Sequence, residues 1–169
     1  MPEPVAQMPH MPEYGVRPGT WEPLPWSWAA ERLLGCRNFW VVTASAAGRP
    51  HALPVWGVWD DDEHRFFFSS APHARRIRNL AANPQVVVAV DSTVEVVSVE
   101  GRAALVTEDD RRRTWARRYL DKYLSLAPDL TEEFVLGGAV VEVVPEKVLS
   151  VIERADEFAT RPTRWVFDA

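Results

Sequence analysis

Residues 48–86 constrain the fold of this chain more than any other segment, because two strand patterns and one short helix follow one another there. The segment opens on Gly48-Arg49-Pro50, which predicts a tight turn, since glycine accepts a positive φ and proline fixes its own φ. Residues 51–59 alternate between two faces as a strand does, and residues 65–70 form a second strand pattern after a polar loop. An antiparallel hairpin that leads directly into a helix is therefore predicted.

The residues after the second strand are suited to holding an anion. Two serines end that strand, Pro72 lies where the first turn of a helix accepts proline, and Asn83-Pro84 ends the helix. Free N–H groups and the dipole at a helix start favour negative charge, and guanidinium groups match phosphate oxygens. A solvated helix face is the alternative interpretation. The predicted phosphate site comprises Ser69, Ser70, Arg75, Arg76 and Asn79, with Asn79 one turn after Arg76.

Length and charge limit the classes of protein to consider. A chain of 169 residues with 47% hydrophobic residues is sufficient for one domain with a sizeable core. Its formal charge of −5 argues against a general binder of nucleic acid or anionic membranes, which needs a basic surface. The single cysteine, Cys36, is compatible with a reducing compartment, and no apolar run approaches the ~18 residues of a membrane span. We therefore predict a cytoplasmic protein with no nucleic-acid and no membrane partner.

Residues 1–25 contain seven prolines and few aliphatic side chains, which predicts an extended N-terminal arm. The arm is interpreted either as a loose tail or as a segment laid over a partner subunit and anchored by Trp21 and Trp26. Ser27 is expected to cap a short helix over residues 28–34. Residues 26–169 are predicted to form a single domain without internal repeats.

The rest of the chain is mainly a succession of strand patterns. Gly101 is expected to mark a bulge, and Thr107 to cap a helix over residues 108–124, with a further helical turn at 131–135. Antiparallel strands with two or three helices indicate a mainly β protein of α+β character, closed into a barrel with the helices packed outside. The other predicted strands are 39–44, 85–90, 94–106, 139–144, 147–153 and 164–167.

A second basic group lies in the predicted helix 108–124, where acidic residues interleave with basic ones. Opposite charges pair along a helix, so this face is interpreted as solvated and self-neutralised. Trp115, Tyr119 and Tyr123 recur at helical spacing, which indicates core or dimer contact. The four histidines show no metal-ligand spacing, so no metal site is predicted. The charged residues of this face are Asp109, Asp110, Arg111, Arg112, Arg113, Arg117, Arg118, Asp121 and Lys122.

Several short pieces of the chain occur in an order that is typical of one family. The pieces are Gly48-Arg49-Pro50, Pro54-Val55-Trp56, Phe67-Phe68-Ser69-Ser70, Arg75-Arg76-Ile77-Arg78-Asn79-Leu80 with Pro84 behind, and Thr163-Arg164-Trp165. Together they resemble the split-barrel flavin- and deazaflavin-binding family related to pyridoxamine 5′-phosphate oxidase, from about Asn38 to the C-terminus. Arg76 occupies a position where many such sequences carry lysine, and a planar guanidinium holds phosphate differently from an ammonium.

The resemblance implies an antiparallel split β-barrel that forms a homodimer with cofactor sites at the subunit interface. It also implies an oxidoreductase that uses a bound deazaflavin, coenzyme F-420, to transfer hydride to or from a small organic substrate. The ring carries the hydride in such enzymes, so no catalytic side chain is predicted. An FMN-dependent oxidoreductase is the close alternative, and a non-catalytic cofactor- or haem-binding protein on the same barrel is the other.

Pro54, Val55 and Trp56 are the residues that the resemblance places against the polar edge of the ring. Proline in the middle of a strand removes one ladder hydrogen bond, which leaves neighbouring backbone groups free for a ligand. Trp56 is expected either to border the ring or to lie in the core. Gly57 is expected to open space beside the Trp56 side chain.

Overall fold

An antiparallel sheet of eight strands dominates the computed structural model, which describes residues 1–167. The strands are β1 (Val5–Gln7), β2 (Asn38–Ala44), β3 (Pro50–Asp60), β4 (Arg65–Ser70), β5 (Gln85–Val90), β6 (Glu95–Leu105), β7 (Ala139–Ile152) and β8 (Thr163–Val166). Six of them follow the order β7-β4-β3-β2-β5-β6, and β6 pairs with β7 to close a barrel. The predicted mainly β, antiparallel barrel is thus confirmed; residues 168 and 169 of the predicted domain lie outside the described residues.

Four α-helices accompany the barrel in the described part of the chain, whereas two or three were expected. They are α1 (Trp26–Gly35), α2 (Arg75–Ala82), α3 (Asp109–Tyr123) and the short α4 (Glu132–Leu136), and a 3-10 turn spans Pro12–Tyr14. The predicted turn at 131–135 is the short helix α4. The Thr131 hydroxyl caps its start by accepting a hydrogen bond from the Phe134 N–H.

Three predicted helix starts are wrong. In each case a different residue, with extended backbone, precedes the first helical residue. Pro25, not Ser27, precedes α1, and Glu108, not Thr107, precedes α3. In α2 the residue before the helix is Ala74, with ψ of 148°, so the helix begins at Arg75 and Pro72 lies in the preceding turn. None of these three positions uses a side-chain cap.

A bulge explains why the two strands predicted at 139–144 and 147–153 are the single strand β7. The register between β6 and β7 shifts between Glu100 and Gly101, and Gly101 lies opposite Pro145. A Cβ built on Gly101 would lie 2.2 Å from the Val144 carbonyl oxygen. The glycine therefore lets the two backbones approach closely where proline has no N–H to offer, and β7 continues past the proline.

Alternation along β3 divides the core into two clusters. Val55 and Trp59 point into the barrel, where they pack in the cluster that contains Phe39. Val58 points to the other face and packs against α3 in a second cluster. The helically spaced aromatic residues of α3 are buried in that second cluster, as predicted for a core contact: Trp115, Tyr119 and Tyr123.

The N-terminal arm is attached to the barrel of its own chain and is not a loose tail. Its strand β1 pairs with β8, which itself pairs with the second half of β7. The Trp21 indole N–H donates to the Pro162 carbonyl at 2.7 Å, and Tyr14 packs edge-on against Phe158. Trp21 thus anchors the arm on its own chain, at the segment that leads into β8, whereas the predicted anchor was on a partner subunit.

Candidate functional site

One edge of strand β3 lacks a neighbouring strand over half of its length. Residues 50–56 pair with β2 on one side, whereas β4 pairs only with residues 57–60 on the other. Over 50–56, no other strand within residues 1–167 pairs with β3. Backbone polar groups on that edge are available to a ligand or to a second subunit.

The three predicted ring-binding residues lie on this strand in different environments. Pro54 is exposed opposite Trp40 of β2, and Val55 is buried in the barrel core. Trp56 stacks face to face on Tyr123 of α3, with ring centroids 4.6 Å apart and an interplanar angle of 4°. Trp56 is partly buried by this contact, and its expected position beside the ring stays a prediction.

Gly57 does not open space, and that expectation is wrong. A Cβ at this position would lie 2.2 Å from Cζ of the buried Phe66 ring and 2.9 Å from the Phe67 carbonyl oxygen. The Gly57 N–H donates to the Tyr123 hydroxyl at 2.9 Å, and Lys122 Nζ donates to the Gly57 carbonyl at 3.0 Å. Glycine is required here by packing against β4 and α3.

Lys122 is the most strongly desolvated amine of this region. Its ammonium lies 4.9 Å from the centre of the Phe39 ring, and burial lowers the pKa of Lys122 from 10.5 to about 8. No carboxylate pairs with Lys122 in the part of the chain that the structure describes. The amine holds the Gly57 carbonyl and so belongs to the contact between α3 and β3.

The two arginines predicted to clamp phosphate occupy the first turn of α2. Arg75 is exposed, and Arg76 is partly buried, so desolvation lowers the pKa of the Arg76 guanidinium. Among residues 1–167, no carboxylate forms an ion pair with either side chain. A partly desolvated cation without a counter-ion is the electrostatic signature of a site that takes an anion.

His51 belongs to the same location and was missed by the sequence analysis. Its Nδ1 atom is buried without a hydrogen-bond partner in the described chain. Partial burial, and then the charges of Arg75 and Arg76, lower the pKa of His51. The alternation of β3 placed His51 on the face of Val55 and Trp59, and an inward histidine at a strand start was the signal available.

Asn79 has a structural contact instead of an open position. Its amide nitrogen donates to the Thr43 hydroxyl of β2 at 2.9 Å, and both residues are buried. This bond holds α2 against β2, one turn after Arg76. Asn79 therefore positions the helix that carries the arginines.

Ser69 and Ser70 both line a groove beside α4 that neither arginine lines. The Ser69 hydroxyl donates to the Val135 carbonyl at 3.0 Å, so its proton is already used. The turn 71–74 separates the serines from Arg75. The structure thus brings Arg75, Arg76 and His51 together and places the two serines at a neighbouring groove.

Residues 1–167 contain neither a cluster of metal ligands nor a membrane-spanning helix. No group of three or more His, Cys, Asp or Glu side chains there is arranged to hold a metal ion. None of the helices there combines the length and the apolar composition that crossing a bilayer requires.

Comparisons with known proteins agree with the fold described above. A model of the pyridoxamine 5′-phosphate oxidase family matches residues 29–152. No curated protein sequence is significantly similar to the chain.

Solved structures share the fold at low sequence identity. A conserved hypothetical protein from Mycobacterium tuberculosis has a TM-score of 0.64 at 16% identity, over 89% of each chain. An F-420 reductase has a TM-score of 0.57 at 21% identity, over 74% of this chain and 98% of its own. A haem storage protein from Vibrio cholerae has a TM-score of 0.50 at 19% identity, over 72% of this chain and 87% of its own.

Proposed function

Because the chain belongs to the pyridoxamine 5′-phosphate oxidase family, we propose that it is an oxidoreductase that binds the deazaflavin coenzyme F-420 and acts on a small organic molecule. The observation that carries the proposal is the group formed by Arg75, Arg76 and the unpartnered His51 Nδ1. These residues offer two uncompensated cations and one free ring nitrogen. They fit the phosphate that F-420 and FMN both carry.

The residues around this group have separate tasks in the proposed complex. Arg76, held by the bond between Asn79 and Thr43, is the fixed part of the phosphate clamp, and exposed Arg75 is its movable part. The open edge of β3 at residues 50–56 offers main-chain groups to the polar edge of the ring. The bound ring supplies hydride transfer, while the protein binds it, orients it and limits water access.

Coenzyme F-420 is preferred to FMN on the sequence of two segments. Pro54-Val55-Trp56 and the Arg-Arg-x-x-Asn-Leu helix resemble the deazaflavin-using branch, and one structural neighbour is an F-420 reductase. Either ligand needs the same clamp, so the choice rests on resemblance and is decided by titration.

A homodimer with the cofactor at its interface is part of the proposal. Leu53 of β3 is 47% exposed, and Trp40 of the neighbouring strand β2 is 43% exposed. Leu53 lies within the open stretch 50–56 of β3, where a second subunit would cover apolar surface and unpaired backbone together. A cytoplasmic location, which the single cysteine favours, is likewise proposed.

The test is titration calorimetry of F-420 and of FMN with wild type, Arg76→Ala and the control Arg113→Ala. A charge-assisted hydrogen bond is worth roughly 1.5–3 kcal/mol, so Arg76→Ala should weaken binding by about ten- to a hundredfold. Arg113 is exposed on α3, and its removal should leave the affinity unchanged. Equal affinities for wild type and Arg76→Ala would refute the clamp.

Turnover separates the oxidoreductase from a carrier on the same barrel. Purified protein with reduced F-420 and an acceptor should oxidise the coenzyme in multiple turnovers, followed by absorbance. Tight binding without turnover for any acceptor class would favour the non-catalytic alternative, for which haem is the ligand to titrate next.

A further inference from the structure

The groove beside Ser69 and Ser70 is lined by none of the three residues that carry the proposed phosphate clamp, Arg75, Arg76 and His51. It has a volume of about 470 Å³, which lies in the range of small-molecule sites. One wall is the end of β4 with the turn that follows it, and the other is α4. The lining includes Ser70, Pro72, Tyr119, Glu133 and Phe134.

Both walls of the groove are fixed by contacts to the barrel. The Ser69 hydroxyl donates to the Val135 carbonyl, and Arg112 of α3 donates to the Leu136 carbonyl. A Cβ on Gly138 would lie 2.3 Å from Ser69 Oγ, so α4 approaches the end of β4 as closely as a glycine allows. The groove is therefore preformed and needs no ordering when a ligand enters.

Phe134 lies at this groove and is unusually open to solvent. It is 72% exposed, more than any other large apolar side chain in the described chain. Its backbone is held by the Thr131 cap, so the ring is presented from a fixed helix. An exposed aromatic ring beside a preformed groove is suited to stacking on a planar ligand.

The charges of the groove select against anions. Glu133 is the one charged side chain that lines it within residues 1–167, and no lysine or arginine does. Burial raises the pKa of Tyr119 to about 12, so its hydroxyl stays neutral at physiological pH. A negatively charged ligand would meet only repulsion here, in contrast to the arginines at the other end of the 71–74 turn.

We propose that this groove is the substrate subsite and that it takes a neutral, planar, mainly apolar ring stacked on Phe134. The assignment of this ligand as the substrate rests on the proposed function, because the short turn 71–74 joins the groove to the arginine site. The recognition itself depends only on Phe134, the apolar walls and Glu133. Phe134 is then a specificity-determining residue.

The experiment uses a matched pair of probes, coumarin and coumarin-3-carboxylate, in ligand-observed NMR titrations of the full chain without cofactor. Wild type should bind coumarin at least about fivefold more tightly than its carboxylate. Phe134→Ala should weaken coumarin binding by about fivefold, the effect of one aromatic pair. Glu133→Gln should reduce the difference in affinity between coumarin and its carboxylate. Leu34→Ala, which removes an exposed leucine of α1, should leave both affinities at their wild-type values.

Unchanged coumarin binding by Phe134→Ala, or equal binding of the two probes to wild type, would overturn the proposal. Phe134 is so exposed that its truncation should leave folding intact, which a thermal melt checks. Calorimetry of F-420 with Phe134→Ala should give the wild-type affinity. The two proposals can therefore fail separately. The coumarin titrations test the substrate subsite without cofactor, and the F-420 calorimetry tests the cofactor site without coumarin.

Discussion

Helices α2 and α3 both carry clusters of arginines next to the barrel, but their partners differ. Arg111 of α3 binds both Glu63 of the β3–β4 loop and Glu142 of β7, with NH2 2.6 Å and 2.8 Å from the two carboxylates. Arg118 pairs with the buried Asp60. No carboxylate of residues 1–167 pairs with Arg75 or Arg76 of α2.

A carboxylate partner marks an arginine as structural, whereas an arginine without one is available to an anion. The alternating charges of α3 predicted neutralisation along the helix itself, but within α3 only Arg112 pairs with a carboxylate, that of Asp109 at 3.9 Å. The shorter ion pairs of α3 are made with carboxylates of the β3–β4 hairpin and of β7. These arginines therefore join α3 to the barrel. Paired arginines should therefore matter for stability, and the unpaired arginines of α2 for binding.

Gly57→Val is expected to cause the largest loss of stability, because it disrupts the packing of β3 against β4 and α3. The new side chain meets the buried Phe66 ring and the Phe67 carbonyl, so the free energy of unfolding should fall by about 3 kcal/mol. Urea denaturation measures the loss, with Ala52→Val at an exposed position of the same strand as control. A stable Gly57→Val protein with weakened cofactor binding would restore the expectation that Gly57 borders the ring.

Arg111→Ala tests the structural role of the α3 arginines directly. It removes the ion pairs to Glu63 and Glu142, both partly exposed, so we expect a loss of about 1–2 kcal/mol in unfolding free energy. Cofactor affinity by calorimetry should stay at the wild-type value. Arg113→Ala, on the exposed face of α3, should alter neither quantity. The comparison between the helices fails if Arg111→Ala weakens binding but not stability.

Lys122→Met tests the pH dependence of the same contact. The pKa of Lys122 is about 8 in the folded protein and 10.5 when unperturbed, so the unfolded chain binds more protons between these values. Wild-type stability relative to Lys122→Met should therefore rise as the pH increases from 8 towards 10. Chemical denaturation at pH 7, 8.5 and 9.5 measures this difference. A difference that is constant with pH would mean that the amine is not desolvated.

A change in salt concentration is expected to have the smallest effect on F-420 affinity. It tests the arginines of α2 and not those of α3. Raising ionic strength from 50 to 500 mM should weaken F-420 binding by roughly threefold, since exposed Arg75 acts partly at long range. Arg75→Ala should reduce that dependence, while Arg117→Ala on α3 should keep it. Binding that is insensitive to salt in wild type would place the anion away from Arg75.

Much of the fold was predictable from local signals. The strands β4 and β5 have the predicted bounds, Gly48 has a φ of +75°, and the bulge at Gly101 is present. The match of the family model to residues 29–152 confirms the resemblance drawn from short motifs. Periodicity, turn residues and motif order are properties of neighbouring residues, so one chain suffices to read them.

The site was predicted less completely, because it depends on which groups meet in space. The arginines were identified from sequence, but the start of α2 was misplaced, since extended backbone at Ala74 excludes Pro72 from the helix. His51 was not predicted as a site residue, because the sequence does not show that its Nδ1 atom is buried without a hydrogen-bond partner. That environment arises only when β3 lies near α2 in the folded chain. The cofactor-binding roles predicted for eight residues stay predictions: Pro54, Val55, Trp56, Ser69, Ser70, Arg75, Arg76 and Asn79.

Local patterns in the sequence were enough to predict the barrel, the order of its elements and the concentration of cations after β4. Contacts between distant residues, which those patterns do not show, neutralise arginines of α3, pack Phe66 against Gly57 and hold α2 on β2 through Asn79. Secondary structure is predictable because it follows from local backbone and side-chain preferences. Pairing, burial and close packing join residues far apart in the chain, such as Arg111 with Glu63, and no local pattern encodes those distances.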